Sequence, residues 1–185
     1  MESKISVKET VIVSIFTAMT VLGGYIAIPL GPVPMVLSNF VILLSGLLLG
    51  SKRGTAVAFT YLLLGALGLP VFSGGTSGIA HIIGPTGGYL IGYLPAAFIT
   101  GLISEYKKRS LKKDSVALIF GTFSIYAFGI PWLKFSLTMS WTNAISAGML
   151  PFLIGDTIKI IAAALISIKM HEFIQEFLHR NNHNE

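Results

Sequence analysis

The chain has 185 residues, 53% of them hydrophobic and only 11% charged, with a mean hydropathy of +0.77. A soluble domain usually carries about 25% charged residues, so the deficit excludes an ordinary water-soluble domain and identifies a single integral membrane domain. The absence of cysteine excludes disulfides, thiolate metal sites and cysteine nucleophiles, and the formal net charge of +5 is no nucleic-acid footprint, because the basic residues follow the membrane topology.

A membrane span needs about 20 apolar residues, with roughly 17–25 tolerated. Hydropathy predicts six helices, at about 11–28, 36–50, 54–69, 89–103, 115–133 and 151–168. The first follows MESKISVKET and could pass for a signal peptide. Its apolar run is long, no A-x-A pattern follows, and Pro29 ends it, so it is a retained span. It carries Ser14 and Ala18, small residues four apart that admit a close helix neighbour, either within the chain or in a partner subunit. The connection IPLGPVPMVLSNF holds Pro29, Pro32 and Pro34 and is rigid. Ser38 and Asn39 open the second span, where Asn39 is either a local cap or a site-lining group.

Between the third and fourth spans runs GALGLPVFSGGTSGIAHIIGPTGGY, from Gly65 to Tyr89, with eight glycines, two prolines and no Asp, Glu, Lys or Arg. Such a loop cannot face bare lipid, where its N–H and C=O groups would go unpaired. It is covered by protein, lines a cavity, or lies at the membrane surface. Its free amides, with the hydroxyls of Thr76, Ser77 and Thr86, make it either a weak anion nest or a set of simple turns. His81 lacks a nearby His, Cys or acidic partner and reads as neither metal ligand nor catalyst. Tyr89, Tyr93 and Tyr126 are either interfacial anchors or flat walls for an apolar ring system. The fourth span has a small-residue run, Gly92, Ala96, Ala97 and Gly101. Trp132, after Pro131 in the fifth span, is either an interfacial anchor or a flat wall for an apolar ring system.

Charge supports the span count. Lys4 and Lys8 precede span one, Lys52 and Arg53 separate two from three, Lys107, Lys108, Arg109, Lys112 and Lys113 separate four from five, and Lys169 and Arg180 follow six. The intervening loops hold only Lys134. Under the positive-inside rule both termini are cytoplasmic, and the loops at 29–36, 68–88 and 134–150 face outward. Lys159 falls outside this pattern. It lies three residues after Asp156 in PFLIGDTIKIIAAAL, on the same helix face. Intramembrane ionisable groups are costly and usually face a cavity or each other. Asp156 could cap its helix while Lys159 snorkels, or the pair could point into an outward-facing pocket. A carboxylate accepts N–H bonds and an ammonium donates to a carbonyl, so the pair complements a neutral urea-like group. Asp156 would repel an anionic ligand group, for which the glycine loop supplies a place.

No Walker sequence G-x-x-x-x-G-K-[ST] occurs, and GPTGGY does not match it. H-E-x-x-H, G-x-S-x-G and paired carboxylates are also missing. Asp156 is the clear intramembrane acid, too little for hydrolytic acid–base work. The expectation is a protein that is not an enzyme and uses no cofactor.

The segments GLPVFSGGTSGIAHIIGPTGGYLIGY, GPVPMVLSNFVILLSGLLLGSKRG, GIPWL and PFLIGDTIKIIAAAL together resemble the BioY family, the biotin-specific S components of energy-coupling-factor (ECF) transporters. The resemblance implies an all-α, six-helix S-component fold in the cytoplasmic membrane. It implies capture of biotin from outside, and coupling to a transmembrane T component and two ATPases. By resemblance, Asp156 and Lys159 match the polar pair for the ureido end, and Trp132 with groups near Val71 and Phe72 packs on the rings. The glycine loop holds the tail, with Thr76 or Thr86. Asn39, Ser77, Gly87 and Tyr89 complete the expected ligand set. Ser14 and Ala18 match the small-x-x-x-small motif that faces the T component. The chain departs from the family pattern at Ser38, where members often carry Gln. The rival expectations are an S component for thiamin or riboflavin, a membrane enzyme, and a structural membrane subunit.

Overall fold

The computed structural model describes residues 7–105 and 110–179. Helix α1 (Val7–Tyr25) stops short of the predicted Ile28, because the chain turns into a hairpin of β1 (Ala27–Pro29) and β2 (Pro34–Val36). The strands are antiparallel, in the register Ala27↔Val36, Ile28↔Met35 and Pro29↔Pro34. Each proline lacks an N–H, so a two-stranded hairpin, with no further strand to satisfy, is where this sequence can extend.

Helix α2 (Ser38–Ala66) covers both the second and third predicted spans. It breaks at Gly50, whose φ of 85° and ψ of 178° belong to a region that glycine tolerates. The arms at 38–49 and 51–66 then fold back on each other. A Cβ placed on Gly54 would sit 2.5 Å from the Gly46 Cα, so the arms touch backbone to backbone. Ser51 opens the second arm, and its N–H donates to Glu105 Oε1 at 2.8 Å while its hydroxyl donates to Oε2 at 3.1 Å. That carboxylate satisfies orphan donors at a helix start.

A 3₁₀ turn (Ser73–Gly75) and α3 (Ile79–Ile83) structure the glycine loop before α4 (Gly87–Glu105). Helix α5 (Leu111–Ser136) is N-capped by Ser110, whose hydroxyl accepts from the Lys113 N–H at 3.3 Å. The short α6 (Trp141–Gly148), a 3₁₀ turn (Leu150–Phe152) and α7 (Leu153–His179) follow. The sequence reading foresaw neither α3 nor α6. Helix α7 runs well past the predicted end of span six, to His179.

Helix α4 is central, packed on α2 and α5. Helix α1 lies against α2, and α7 against α2 and α5. Ala96 and Ala97 are fully buried, and Gly101 meets Ser51 while Gly92 meets Ile125. The small-residue run of α4 is therefore an internal seam that lets helices approach closely. Ile42, Leu47, Val57, Tyr61 and Leu118 fill the core. Large apolar side chains such as Ile15, Met19, Phe120, Phe123, Ile158 and Ile161 point outward, the pattern of a lipid-facing surface. Among the described residues, five helical stretches are long and apolar enough to cross a membrane. Because α2 doubles back at Gly50, these stretches form six helical arms.

Candidate ligand-binding site

The polar pair predicted on the last span lies at the end of the bundle opposite Gly50. The 3₁₀ turn at Leu150–Phe152 leads into α7 and sets Asp156 in its first turn, beneath the β1–β2 hairpin. Asp156 is 6% exposed. Its Oδ1 accepts from Lys159 Nζ at 3.4 Å and from Asn39 Nδ2 at 3.4 Å. Its Oδ2 accepts from the Tyr126 hydroxyl. Lys159 Nζ also donates to Asn39 Oδ1 at 2.9 Å and to the Val36 carbonyl at 2.8 Å. Asn39 is thus a cross-helix partner of the pair rather than a local cap. The cost of burying two charges is offset by mutual pairing and by satisfied hydrogen bonds.

Two small cavities flank this network. One, of about 50 Å³, is walled by Asn39, Tyr89, Tyr126, Asp156 and Lys159. The other, of about 40 Å³, is walled by Ser38, Tyr61, Ser73, His81 and Thr86. Val33, Pro34, Val36, Tyr89 and Tyr93 line both. Val33, near the hairpin tip, is only 6% exposed and sits between the lobes. Small-molecule pockets run from about 300 Å³ upward, so with the hairpin in place neither lobe has room for a small molecule.

Aromatic rings frame both lobes. Tyr61 and Tyr93 lie 6.3 Å apart, and Tyr89 meets Tyr126 edge-on at 6.4 Å. Ser38 Oγ and the Tyr93 hydroxyl share a hydrogen bond at 3.0 Å, and the Tyr89 hydroxyl donates to the Gly148 carbonyl at 2.9 Å. These contacts position flat apolar faces with polar tips.

The glycine loop is held from two sides. Phe72, fully buried, stacks on His81 at 5.3 Å and meets Tyr61 edge-on at 5.5 Å. The Trp132 indole N–H donates to the Gly84 carbonyl at 2.9 Å. Gly87 and Gly88 are buried beneath that indole, where a Cβ would collide with Ile82 or Trp132. The GPTGGY segment is therefore a close-packed seat for Trp132. Burial also pulls the His81 imidazole below the usual histidine range.

The expected ligand set divides accordingly. Asp156, Lys159, Asn39 and Tyr89 come together at one lobe, and Thr86 lines the other with Tyr89. Trp132 faces an outer groove with Ile83, Phe128 and Pro131 rather than either lobe. Phe72 stands behind His81, and Gly87 lies under Trp132. Ser77 is partly buried but on neither wall, and exposed Thr76 donates its hydroxyl to the Ser73 carbonyl at 2.9 Å. Ser14 and Ala18 are exposed on α1, with the Ser14 hydroxyl turned back to the Thr10 carbonyl at 2.8 Å.

Sequence reasoning missed Tyr61, Ser73 and Val33 as wall residues. It weighed His81 only as a metal ligand or catalyst. The predicted fifth span starts at 115, whereas α5 starts at Leu111 and buries Asp114 fully, with Ser167 Oγ donating to Oδ2 at 2.8 Å. Among the described residues, no group of three His, Asp or Glu side chains could hold a metal ion. The arrangement suits an organic molecule with N–H and C=O groups at one end.

The family model for the BioY family matches residues 1–176. The chain belongs to the BioY family. It is 44% identical over 163 residues to the biotin transporter BioY of Thermotoga maritima, covering 88% of this chain and 95% of that protein. It is 40% identical to the probable biotin transporter BioY of Pyrococcus horikoshii, covering 88% and 96% of the two chains. It also superposes with a TM-score of 0.84 and 30% identity on a crystal structure of the S-component for biotin from an ECF-type ABC transporter, covering 93% of this chain and 95% of that one. The fold of this BioY-family chain is accordingly the all-α S-component fold, with one short β-hairpin over the site.

Proposed function

We propose that this chain captures biotin outside the cytoplasmic membrane and carries it inward as the substrate-binding subunit of an ECF-type transporter. The observation that carries the reading is the Asp156–Lys159–Asn39–Tyr126 network on a lobe closed by the hairpin. Its chemistry matches a ureido ring: carboxylate acceptors for the two N–H groups, and ammonium or amide donors for the carbonyl. The tyrosine faces suit the apolar thiophane. Relatives named as biotin transporters, 44% and 40% identical, support the choice of vitamin.

The rest of the mechanism follows from the same reading. Biotin enters at the hairpin end, and the segments 29–36 and 68–88 close over it. Lys52, Arg53, Lys112 and Lys113 gather at the opposite end, which supports cytoplasmic termini. The exposed small residues Ser14 and Ala18 offer a docking line to a T component, and two partner ATPases drive reorientation. The chain needs no cofactor of its own.

Biotin titration of the purified protein tests this reading. Asp156→Asn should weaken binding by about 1–3 kcal/mol or more, because a buried network loses its charge. Wild type binding no better than the variant would refute the site. A panel with thiamin and riboflavin tests the vitamin, and tighter binding of either would reassign it.

A further inference from the structure

We infer that the hairpin end of α5 carries a binding site for an anionic phospholipid, separate from the two lobes. An open groove of about 510 Å³ runs there along the outside of the bundle, walled by Ile83 of α3 and by Phe128, Pro131, Trp132 and Phe135 of α5. From Ala127 to Ser136 it follows the helix for about 14 Å, at about 1.5 Å per residue. Ile83, Phe128 and Phe135 are largely exposed along it. Among the described residues its wall carries no charge.

Lys134 stands where this groove reaches the C-terminal end of α5. It follows Pro131 by three residues, so both share one edge of the helix. Its ammonium lies 4.5 Å from the centre of the Phe135 ring and 5.2 Å from that of Trp141. Those two rings meet edge-on at 6.4 Å. Phe135 therefore belongs both to the groove and to the seat of the cation. The connections at this end of the bundle, 29–36, 68–88 and 134–150, contain no Asp or Glu, and Lys134 is their single Lys or Arg. Asp156 and Lys159 pair with each other under the hairpin. Among the described residues, Lys134 is held by ring faces and by no carboxylate.

A cation at the helix end above an apolar slot matches the order of groups in a membrane phospholipid. The phosphate meets Lys134 at the interfacial end of α5, and an acyl chain descends the groove toward Ala127. Aromatic and basic side chains at that depth are interfacial anchors. The groove does not suit a protein helix, whether from a partner or from a second copy of the chain. Close helix approach needs small residues, and this wall is dominated by Ile83, Phe128, Trp132 and Phe135. Charge sets the choice of lipid, because one lysine near an anionic surface strengthens binding by about fivefold.

The chain has two tryptophans. Trp132 lines the groove and Trp141 flanks Lys134, so intrinsic fluorescence reports on this site and not on the basic residues at the opposite end. The test is quenching of the full chain in phosphatidylcholine bilayers that contain, at matched fractions, dibrominated phosphatidylglycerol or dibrominated phosphatidylcholine. The anionic lipid should quench as if bound about fivefold more tightly than the zwitterionic one. Lys134→Gln should bring that ratio close to one, and raising the salt concentration should lower it in the wild type. Equal quenching by the two lipids in the wild type overturns the inference. So does a preference that survives in a folded Lys134→Gln variant, or one in the wild type that salt leaves unchanged. Quenching by neither lipid means that protein covers the groove, and overturns it as well. Each of these outcomes leaves the biotin reading where it stands, since no biotin enters the measurement.

Discussion

The candidate site centres on a few residues joined by cross-helix hydrogen bonds. Asp156 has three donors pointed at it, Lys159 and Asn39 on Oδ1 and the Tyr126 hydroxyl on Oδ2. That phenol orients the carboxylate for ligand N–H groups, so Tyr126→Phe should weaken biotin binding by about 1–3 kcal/mol while the chain remains folded. Calorimetric titration beside a thermal melt would separate the two effects. The spacing of Asp156 and Lys159 was legible in the sequence because both lie on one helix. Asn39 was ambiguous, since its partners are more than a hundred residues away. His81 was set aside because its neighbours in sequence carry no chemistry, and its stacking on Phe72 exists only after folding.

At the scale of elements, α2 shows how a few glycines decide an architecture. Hydropathy and the Lys52–Arg53 pair marked two short spans, but the hairpin between them depends on Gly50 and on the Gly46–Gly54 approach. Gly54→Leu must push the two arms apart at backbone contact. Overpacking of a well-filled interior costs typically about 1–3 kcal/mol, and here the neighbour is main chain that cannot rotate away. The expected result is a lower melting temperature and loss of the monodisperse peak in size-exclusion chromatography. Trp132 makes a related point. Its position at the end of an apolar span suggested an interfacial anchor or a ligand wall, yet its indole N–H holds the glycine loop. An aromatic at such a site has one polar handle, and whichever acceptor reaches it first in the fold defines its role.

Across the whole molecule, the two ends have distinct work. The hairpin end covers the two candidate lobes, while Glu105 pins the α2 turn at the other end and Arg53 pairs with Glu9 of α1. Helix α1 presents Val11, Ile15, Met19 and Leu22 outward beside Ser14 and Ala18. A bulky side chain in that line blocks close helix approach. Ala18→Leu should therefore abolish co-purification with a T component and biotin uptake by cells, while the isolated subunit still binds biotin. Uptake that persists in this variant would move the docking surface elsewhere.

Membrane class, charge asymmetry and the Asp156–Lys159 pair were determined by sequence alone, because hydropathy, charge and helical spacing are properties of neighbouring residues. Tertiary structure decided what surrounds that pair. The close packing of α4 on α2 and α5 brings Asn39, Tyr126 and the hairpin carbonyl of Val36 to one point. The same packing made the Gly65–Tyr89 stretch, left open by the sequence between an anion nest and simple turns, a seat for Phe72 and Trp132, with His81 and Thr86 left facing the cavity. Glycine marks where a backbone can come close, but only the assembled fold says what it comes close to.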